Sequence, residues 1–160
     1  MMIITPRLKI RSLQLDDSND YYSIFGDSEI ARYDDYTLVT PEEAKSIISE
    51  YIKTYGKNPK EIEYGVELTG HNEIIGIINL TREDKKLYIG FHFKKSFHGK
   101  GYAYEALEAV IKHLGVELFA KVDPENIRSI ALLEKVGFRY VKEVVLASGK
   151  KEKIYHFIFD

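Results

Sequence analysis

The sequence contains no cysteine, and only 4 of its 160 residues are proline. The absence of cysteine excludes disulfides, cysteine-ligated zinc and a cysteine nucleophile. Long apolar runs are also missing, so no segment is predicted to span a bilayer, and the short apolar start of the chain does not suffice for a signal peptide. We therefore expect a soluble, cytoplasmic protein with no membrane partner.

An excess of positive charge is missing as well. The chain has 23 Lys and Arg against 25 Asp and Glu, a formal net charge of −2 at pH 7. Proteins that bind phosphate backbones usually carry a basic surplus, so we expect no nucleic-acid partner and favour small molecules or cationic groups. The spacing of polar residues indicates neither a metal site nor a serine-hydrolase triad. A chain of this length, without repeats or a linker-like segment, fits one domain over residues 1–160.

The pattern of apolar and turn residues predicts alternating strands and helices. The clearest helix start is at Thr40, where threonine is a typical N-cap, Pro41 suits the first turn and Glu43 completes a capping box. A second clear helix follows Gly101, because apolar residues recur there at steps of three and four. Strands are predicted at residues 8–13, 61–68, 73–80, 87–93, 116–122, 138–146 and 152–159, and helices from residue 16, over 41–55, over 103–114 and from Asp123 to Gly137.

These elements follow one another in the order β-α-α-β-β-β-α-β-α-β-β. The order predicts an α+β fold, with a mixed, mostly antiparallel sheet of about seven strands flanked by about four helices.

The segment between Phe93 and Ala106 is a strand, a loop with two glycines and a helix. The first N–H groups of a helix lack intrahelical acceptors and lie at the positive end of its dipole, so they bind phosphate oxygens well. Gly99 and Gly101 would let the backbone approach such an anion closely. The segment lacks the ending of a nucleoside-triphosphate loop and the spacing of a Rossmann fingerprint. It predicts a site for another diphosphate ligand, unless the glycines only form a tight turn.

This segment resembles the phosphate loop of the GNAT superfamily of N-acetyltransferases, whose pattern is Gln/Arg-x-x-Gly-x-Gly/Ala. Here the loop reads His98-Gly99-Lys100-Gly101-Tyr102-Ala103, and only its first residue departs from the pattern. The similarity extends over nearly the whole chain, and the motifs look most like the branch that acetylates the N-termini of ribosomal proteins. The other matching segments are residues 5–8, 89–93, 122–126 and 133–138.

The resemblance implies that acetyl-CoA is the co-substrate. It places the acetyl-CoA where the strands at 87–93 and 116–122 separate. The acceptor would be a primary amine, either of a small molecule or of a protein N-terminus. The oligomeric state is left open, with a homodimer as one alternative. The implied cofactor-binding residues are Phe91, His92, Phe93, His98, Gly99, Lys100, Gly101, Tyr102, Ala103 and Asn126. For Asn126, a helix cap is the alternative.

The general acid of many family members is absent from this sequence. They have a tyrosine where this chain has Leu133. In the branch that modifies ribosomal proteins a serine is thought to protonate the leaving thiolate, and Ser129 matches that position. The alternative is an ordinary helix serine that bonds to the backbone or faces solvent. Because a thiol pKa is near 8.5, the thiolate leaves readily and acid assistance is expected to be a moderate effect.

The general base is not a direct match either, because Tyr88 stands where the branch often has glutamate. Strand alternation puts Tyr88 and His92 on one face, so His92 is predicted as the near-neutral titrating group that relays the proton of the amine. A histidine that only packs within the sheet is the alternative. Tyr88 acting through water, or a carboxylate such as Asp35 or Glu67, are the other candidate bases.

Three carboxylates, Glu29, Asp34 and Asp35, lie between the first two predicted helices. In this family that segment borders the acceptor cleft, where carboxylates would attract a cation, unless they belong to a solvated loop. We thus expect an acetyltransferase that acts by direct attack of the amine. A non-catalytic acyl-CoA-binding or regulatory module is the alternative, because the usual tyrosine and glutamate are missing.

Overall fold

The computed structural model describes residues 1–159, in which eight strands and four α-helices are present. The strands are β1 (Ile3–Ile4), β2 (Leu8–Ser12), β3 (Glu61–Leu68), β4 (Glu73–Glu83), β5 (Lys86–Phe93), β6 (Leu118–Val122), β7 (Arg139–Val145) and β8 (Lys151–Phe157). The helices are α1 (Ser18–Phe25), α2 (Pro41–Ile52), α3 (Tyr102–Leu114) and α4 (Ile127–Val136).

All eight strands form one sheet in the order β1-β2-β3-β4-β5-β6-β8-β7. Every neighbouring pair is antiparallel except β5 and β6, which are parallel and register at a single pair, Tyr88 opposite Phe119. Beyond this pair the two strands are not paired with each other, so a gap opens between their carboxyl-terminal halves. The predicted α+β class is confirmed, and so is the element order from β2 onward.

Helices cover the sheet on both faces. Leu107 of α3 and Leu133 of α4 pack into one apolar cluster with Ile78, whereas Ile24 of α1 packs into a second cluster with Ile77. Ile77 and Ile78 are consecutive residues of β4, and consecutive side chains of a strand point to opposite faces. Both are fully buried, so β4 lies between the two helical layers.

The capping box at the start of α2 is confirmed. The Thr40 hydroxyl accepts a hydrogen bond from the Glu43 N–H at 3.2 Å, and the Glu43 carboxylate accepts one from the Thr40 N–H at 3.2 Å. The helix ends at Ile52 rather than at residue 55.

The predicted start of the last helix at Asp123 was wrong. Asp123 accepts a hydrogen bond from the Glu125 N–H at 2.8 Å and thereby closes a turn that precedes the helix. The N-cap is Asn126, whose side-chain oxygen accepts from the Ser129 N–H at 3.2 Å. Gly137 has a φ of 111° and ends α4, as predicted.

Most predicted strands differ from the structure in a bound by one to three residues, and β8 ends at Phe157 rather than residue 159. β1 was not predicted, because two residues are too few to show alternation; it makes the count eight rather than about seven. β4 continues to Glu83 rather than residue 80, since Asp84 and Lys85 form a tight turn with φ values of 49° and 64°. A turn with positive φ is usually recognised in a sequence by a glycine. This turn has Asp84 and Lys85 instead, so the end of β4 was predicted too early. β6 begins at Leu118 rather than residue 116.

Candidate cofactor and acceptor site

The gap between β5 and β6 opens into a cavity of about 350 Å³. Backbone orientation explains why this gap suits a ligand. The Lys94 N–H bonds to the Ile75 carbonyl of the neighbouring strand, so by alternation the N–H groups of Phe91 and Phe93 point the other way, toward the gap. The residues that line the cavity include Glu29, Asp34, Ile89, Gly90, Phe91, His92, Phe93, His98, Ala103, Ala120, Val122, Asn126, Arg128, Ser129, Leu133 and Lys150.

The glycine loop lies between β5 and the start of α3. Gly99 and Gly101 have φ values of 75° and 82°, in the left-handed region that glycine adopts without strain. Gly101 is the N-cap of α3 and has no side chain that could satisfy the first amides of that helix. These amides therefore remain available to an external acceptor such as a phosphate.

His98, the first residue of the loop, ties three parts of the site together. Its Nε2 lies 2.9 Å from the Phe93 carbonyl oxygen, which can only accept, so Nε2 carries the proton. Its Nδ1 contacts the guanidinium of Arg128 from the start of α4. Burial lowers the pKa of His98, with the Arg128 charge acting in the same direction, which favours this neutral form. The resemblance implied only that His98 binds the cofactor, and these side-chain contacts were not predicted.

His92 faces the cavity and is held by a carboxylate and two aromatic rings. Its Nε2 lies 3.0 Å from Asp34 Oδ2. The rings of Phe25 and Tyr36 lie 5.0 and 5.6 Å from the imidazole, measured between centroids. Because an ionised carboxylate accepts only, Nε2 of the neutral ring carries the proton and Nδ1 holds the free lone pair. The carboxylate thus fixes the orientation of the imidazole and leaves one ring nitrogen without a partner in this contact.

Tyr88 lies on the same face of β5 as His92, as predicted, because the pairing of β5 with β4 runs without a register shift. The structure does not bring it to the cavity. Its ring lies 5.6 Å from that of Phe119, and the Lys121 ammonium lies 4.6 Å from its centroid.

Two carboxylates considered as bases are engaged elsewhere. Glu67 is buried and accepts from the Arg11 guanidinium at 3.2 Å, in a cluster that also holds Asp17. Asp35 is exposed and pairs with Lys150 at 3.2 Å. Neither lines the cavity.

The three carboxylates expected to attract a cation each have a partner within the chain. Asp34 contacts His92, Asp35 contacts Lys150, and Glu29 contacts Lys95. The charges of Glu29 and Asp35 are thereby partly compensated, whereas Asp34 faces an imidazole rather than an ammonium, so the attraction of a cation by this segment stays a prediction. The role of Asp34 is more specific than attraction, because it orients an imidazole.

Ser129 and Asn126 both line the cavity at the start of α4. The alternative considered for Asn126, a helix cap, is confirmed. Ser129 is half-buried, and its N–H is the group that Asn126 caps. Leu133, at the position of the family's tyrosine, is buried and supplies no proton.

A buried carboxylate that was not predicted lies on the same sheet face as His92. Glu63 of β3 is 6% exposed and accepts a hydrogen bond from the Tyr21 hydroxyl at 2.5 Å. Burial raises the pKa of Glu63 to about 7, against the lowering effects of that hydrogen bond and of the His92 charge. Sequence reasoning could not find this group, because its pKa depends on burial beneath α1.

Lys150, in the turn between β7 and β8, was also missed. Its ammonium donates to the Tyr33 carbonyl at 3.1 Å and pairs with Asp35. It thus joins the β7–β8 turn to the segment between α1 and α2, and closes one side of the cavity. The contact spans 117 residues, so no local pattern could indicate it.

Within residues 1–159, no group of three or more His, Cys, Asp or Glu side chains is arranged to hold a metal ion. Over the same residues, no helix is both long and apolar enough to cross a membrane.

The chain belongs to the GNAT family of acetyltransferases, since residues 7–139 match the family model described as an acetyltransferase (GNAT) domain. This match bears out the resemblance drawn from the glycine loop and the motifs around it.

Relatives and solved structures agree with this family. The chain is 30% identical over 146 residues to the uncharacterized N-acetyltransferase YnaD of Bacillus subtilis (strain 168), covering 87% of this chain and 83% of the relative. It is 28% identical over 111 residues to the ribosomal protein uS5 alanine N-acetyltransferase of Escherichia coli (strain K12), covering 62% and 57%. The structure of RimL, a ribosomal L7/L12 alpha-N-protein acetyltransferase in complex with coenzyme A, has the same fold, with a TM-score of 0.85, 18% identity and coverage of 100% and 99%.

Proposed function

We propose that this protein transfers the acetyl group of acetyl-CoA to a primary amine, either a protein N-terminus or a small-molecule amine, by direct attack. The observation that carries the proposal is the gap between β5 and β6. On one side of it lies the uncapped start of α3, and on the other the His92–Asp34 pair. The coenzyme A in the RimL complex and the uS5 substrate of the E. coli relative support the choice of both substrates.

The glycine loop fits a diphosphate. The amides of residues 98–103 would bind its oxygens, helped by the positive end of the α3 dipole. The N–H groups of Phe91 and Phe93 point into the gap and would hold the pantetheine amides. The Phe93 N–H is also the group we propose to stabilise the oxyanion formed when the thioester carbonyl is attacked.

The acceptor amine must lose a proton before it attacks. An alkyl amine has a pKa of about 10.4, so at neutral pH only a small fraction is nucleophilic. His92 Nδ1 would take that proton, directly or through water, and Asp34 would stabilise the resulting imidazolium. Ser129 would protonate the departing thiolate from the start of α4.

A turnover assay tests the proposed function. We expect CoA release from acetyl-CoA in the presence of at least one member of a panel of N-terminal peptides, polyamines and aminoglycosides, with an acetylated amine as the second product. Binding of acetyl-CoA without CoA release for any amine would instead support the non-catalytic acyl-CoA-binding module.

Replacing Ser129 by alanine tests the proposed acid. We expect kcat to fall roughly tenfold to a hundredfold, a moderate loss because the thiolate is already a good leaving group. The Kd of acetyl-CoA, measured by calorimetry, should stay within about twofold, since the cap of α4 uses only the Ser129 N–H. Ser129→Thr keeps the hydroxyl and is the matched control. An unchanged kcat in Ser129→Ala would mean that this serine is only a helix residue.

A further inference from the structure

Arg7, just before β2, contacts the glycine loop and α3 from the far end of the chain. Its Nη1 donates to the Lys100 carbonyl at 3.0 Å, across 93 residues of sequence. Its Nε donates to Glu105 Oε1 at 2.7 Å, and its backbone N–H donates to Glu105 Oε2 at 3.0 Å. The guanidinium carbon lies 4.3 Å from the centroid of the Tyr102 ring. One side chain thus joins the loop, the first helical residue and the first turn of α3.

The contact with Lys100 fixes the direction of a neighbouring amide. The carbonyl of one residue and the N–H of the next point in opposite directions across a planar trans peptide. Arg7 holds the Lys100 carbonyl, so the Gly101 N–H is turned away from Arg7. Gly101 is close enough that a Cβ there would lie 3.3 Å from Arg7 Nη2. The orientation of the loop amide therefore depends on Arg7.

The contact with Glu105 changes the balance of charge at the start of α3. Glu105 lies in the first turn of α3, where its carboxylate would repel a phosphate bound at the same helix end. Partial burial acts against ionisation, but hydrogen bonds from Thr5 and Arg7 outweigh it and hold the pKa of Glu105 below its usual value. The carboxylate is therefore ionised at neutral pH, and Arg7 compensates its charge.

We propose that Arg7 is a positioning residue for cofactor binding: it orients the amide of the 100–101 peptide toward the CoA diphosphate and cancels the charge of Glu105. This inference rests on the proposed function, because the ligand is the diphosphate of CoA. Arg7 acts through the loop and the helix and need not contact the ligand.

The test compares Arg7→Met, which keeps the aliphatic stem, with Arg7→Lys, which keeps the charge, and with Arg139→Ala, an exposed arginine of the edge strand β7. We expect Arg7→Met to weaken CoA binding roughly tenfold to fiftyfold in calorimetry, since a charge-assisted hydrogen bond and a charge balance are lost together. Arg7→Lys should lose less CoA affinity, and Arg139→Ala should lose none. The KM of acetyl-CoA should rise while kcat stays within about twofold.

Two further measurements separate this role from general damage to the fold. Turnover of S-acetylpantetheine, which has no diphosphate, should be the same in the wild type and in Arg7→Met. Adding Glu105→Gln to Arg7→Met should restore part of the CoA affinity, because the uncompensated carboxylate is removed. An equal loss with S-acetylpantetheine, or no recovery in the double variant, would overturn the respective part of the proposal.

Titration with CoA alone separates a failure of the positioning role of Arg7 from a failure of the proposed function. Equal CoA affinities of the wild type and a folded Arg7→Met, checked by thermal denaturation, would overturn the positioning role and leave the proposed function standing. Failure of the wild type to bind CoA would overturn the proposed function, and the positioning role with it.

Discussion

Replacing Gly101 by glutamate should weaken CoA binding by at least about a hundredfold. The substitution places a negative charge at the helix end that would receive the diphosphate, and like charges brought together cost several kcal/mol. The side chain also meets a crowded position, since a Cβ at Gly101 would lie 3.3 Å from the Arg7 guanidinium. Calorimetric titration with CoA measures the effect directly.

The control for this prediction must separate charge from backbone strain. Gly101 has a φ of 82°, so every other residue is strained there. Gly101→Ala carries the strain alone, and Gly101→Gln adds a side chain of the same size as glutamate without its charge. We expect the loss of CoA affinity to increase from Gly101→Ala through Gly101→Gln to Gly101→Glu. A folded Gly101→Glu variant that binds CoA like the wild type would remove the basis for placing the diphosphate at this loop.

Replacing His92 by glutamine should lower kcat/KM for the amine roughly a hundredfold to a thousandfold at pH 7, the range typical of a lost general base. The loss should shrink as the pH is raised toward 10, because the amine then loses its proton to solvent without help. The measurement is kcat/KM over pH 6 to 10 at saturating acetyl-CoA. Asp34→Asn, which replaces the charged acceptor of the Nε2 proton by a neutral amide, should cause a smaller loss of the same kind.

Two other variants show whether the effect belongs to His92. Glu63→Gln removes the buried carboxylate of this sheet face, whose pKa burial raises to about 7, and Tyr88→Phe removes a hydroxyl outside the cavity. Both should keep a wild-type pH profile if His92 is the base. An unchanged pH profile in His92→Gln would show that the amine loses its proton elsewhere, and a changed profile only in Glu63→Gln would identify that carboxylate as the group that titrates.

Local sequence was enough to predict an element wherever the contacts that stabilise the element are themselves local. The start of α2 could be predicted because all partners of its capping box lie between Thr40 and Glu43. The glycine loop could be predicted because a helix N-terminus preceded by left-handed glycines needs only a few consecutive residues. Predictions failed where two nearby residues suit the same position. Asp123 and Asn126 are both good N-caps, but Asp123 closes a turn instead, so the N-cap lies three residues later, at Asn126.

The pairing of the site residues required the fold. Asp34 reaches His92 across 58 residues, Lys150 reaches Tyr33 across 117, and Arg7 reaches Lys100 across 93. No periodicity or spacing records such contacts, because they depend on the strand order and on which helices cover each face. The same holds for the pKa of Glu63, which burial against α1 raises. The residue types and the glycine loop are thus properties of short segments, whereas the His92–Asp34 pair and the contact of Arg7 with the loop arise from packing of distant segments on one sheet.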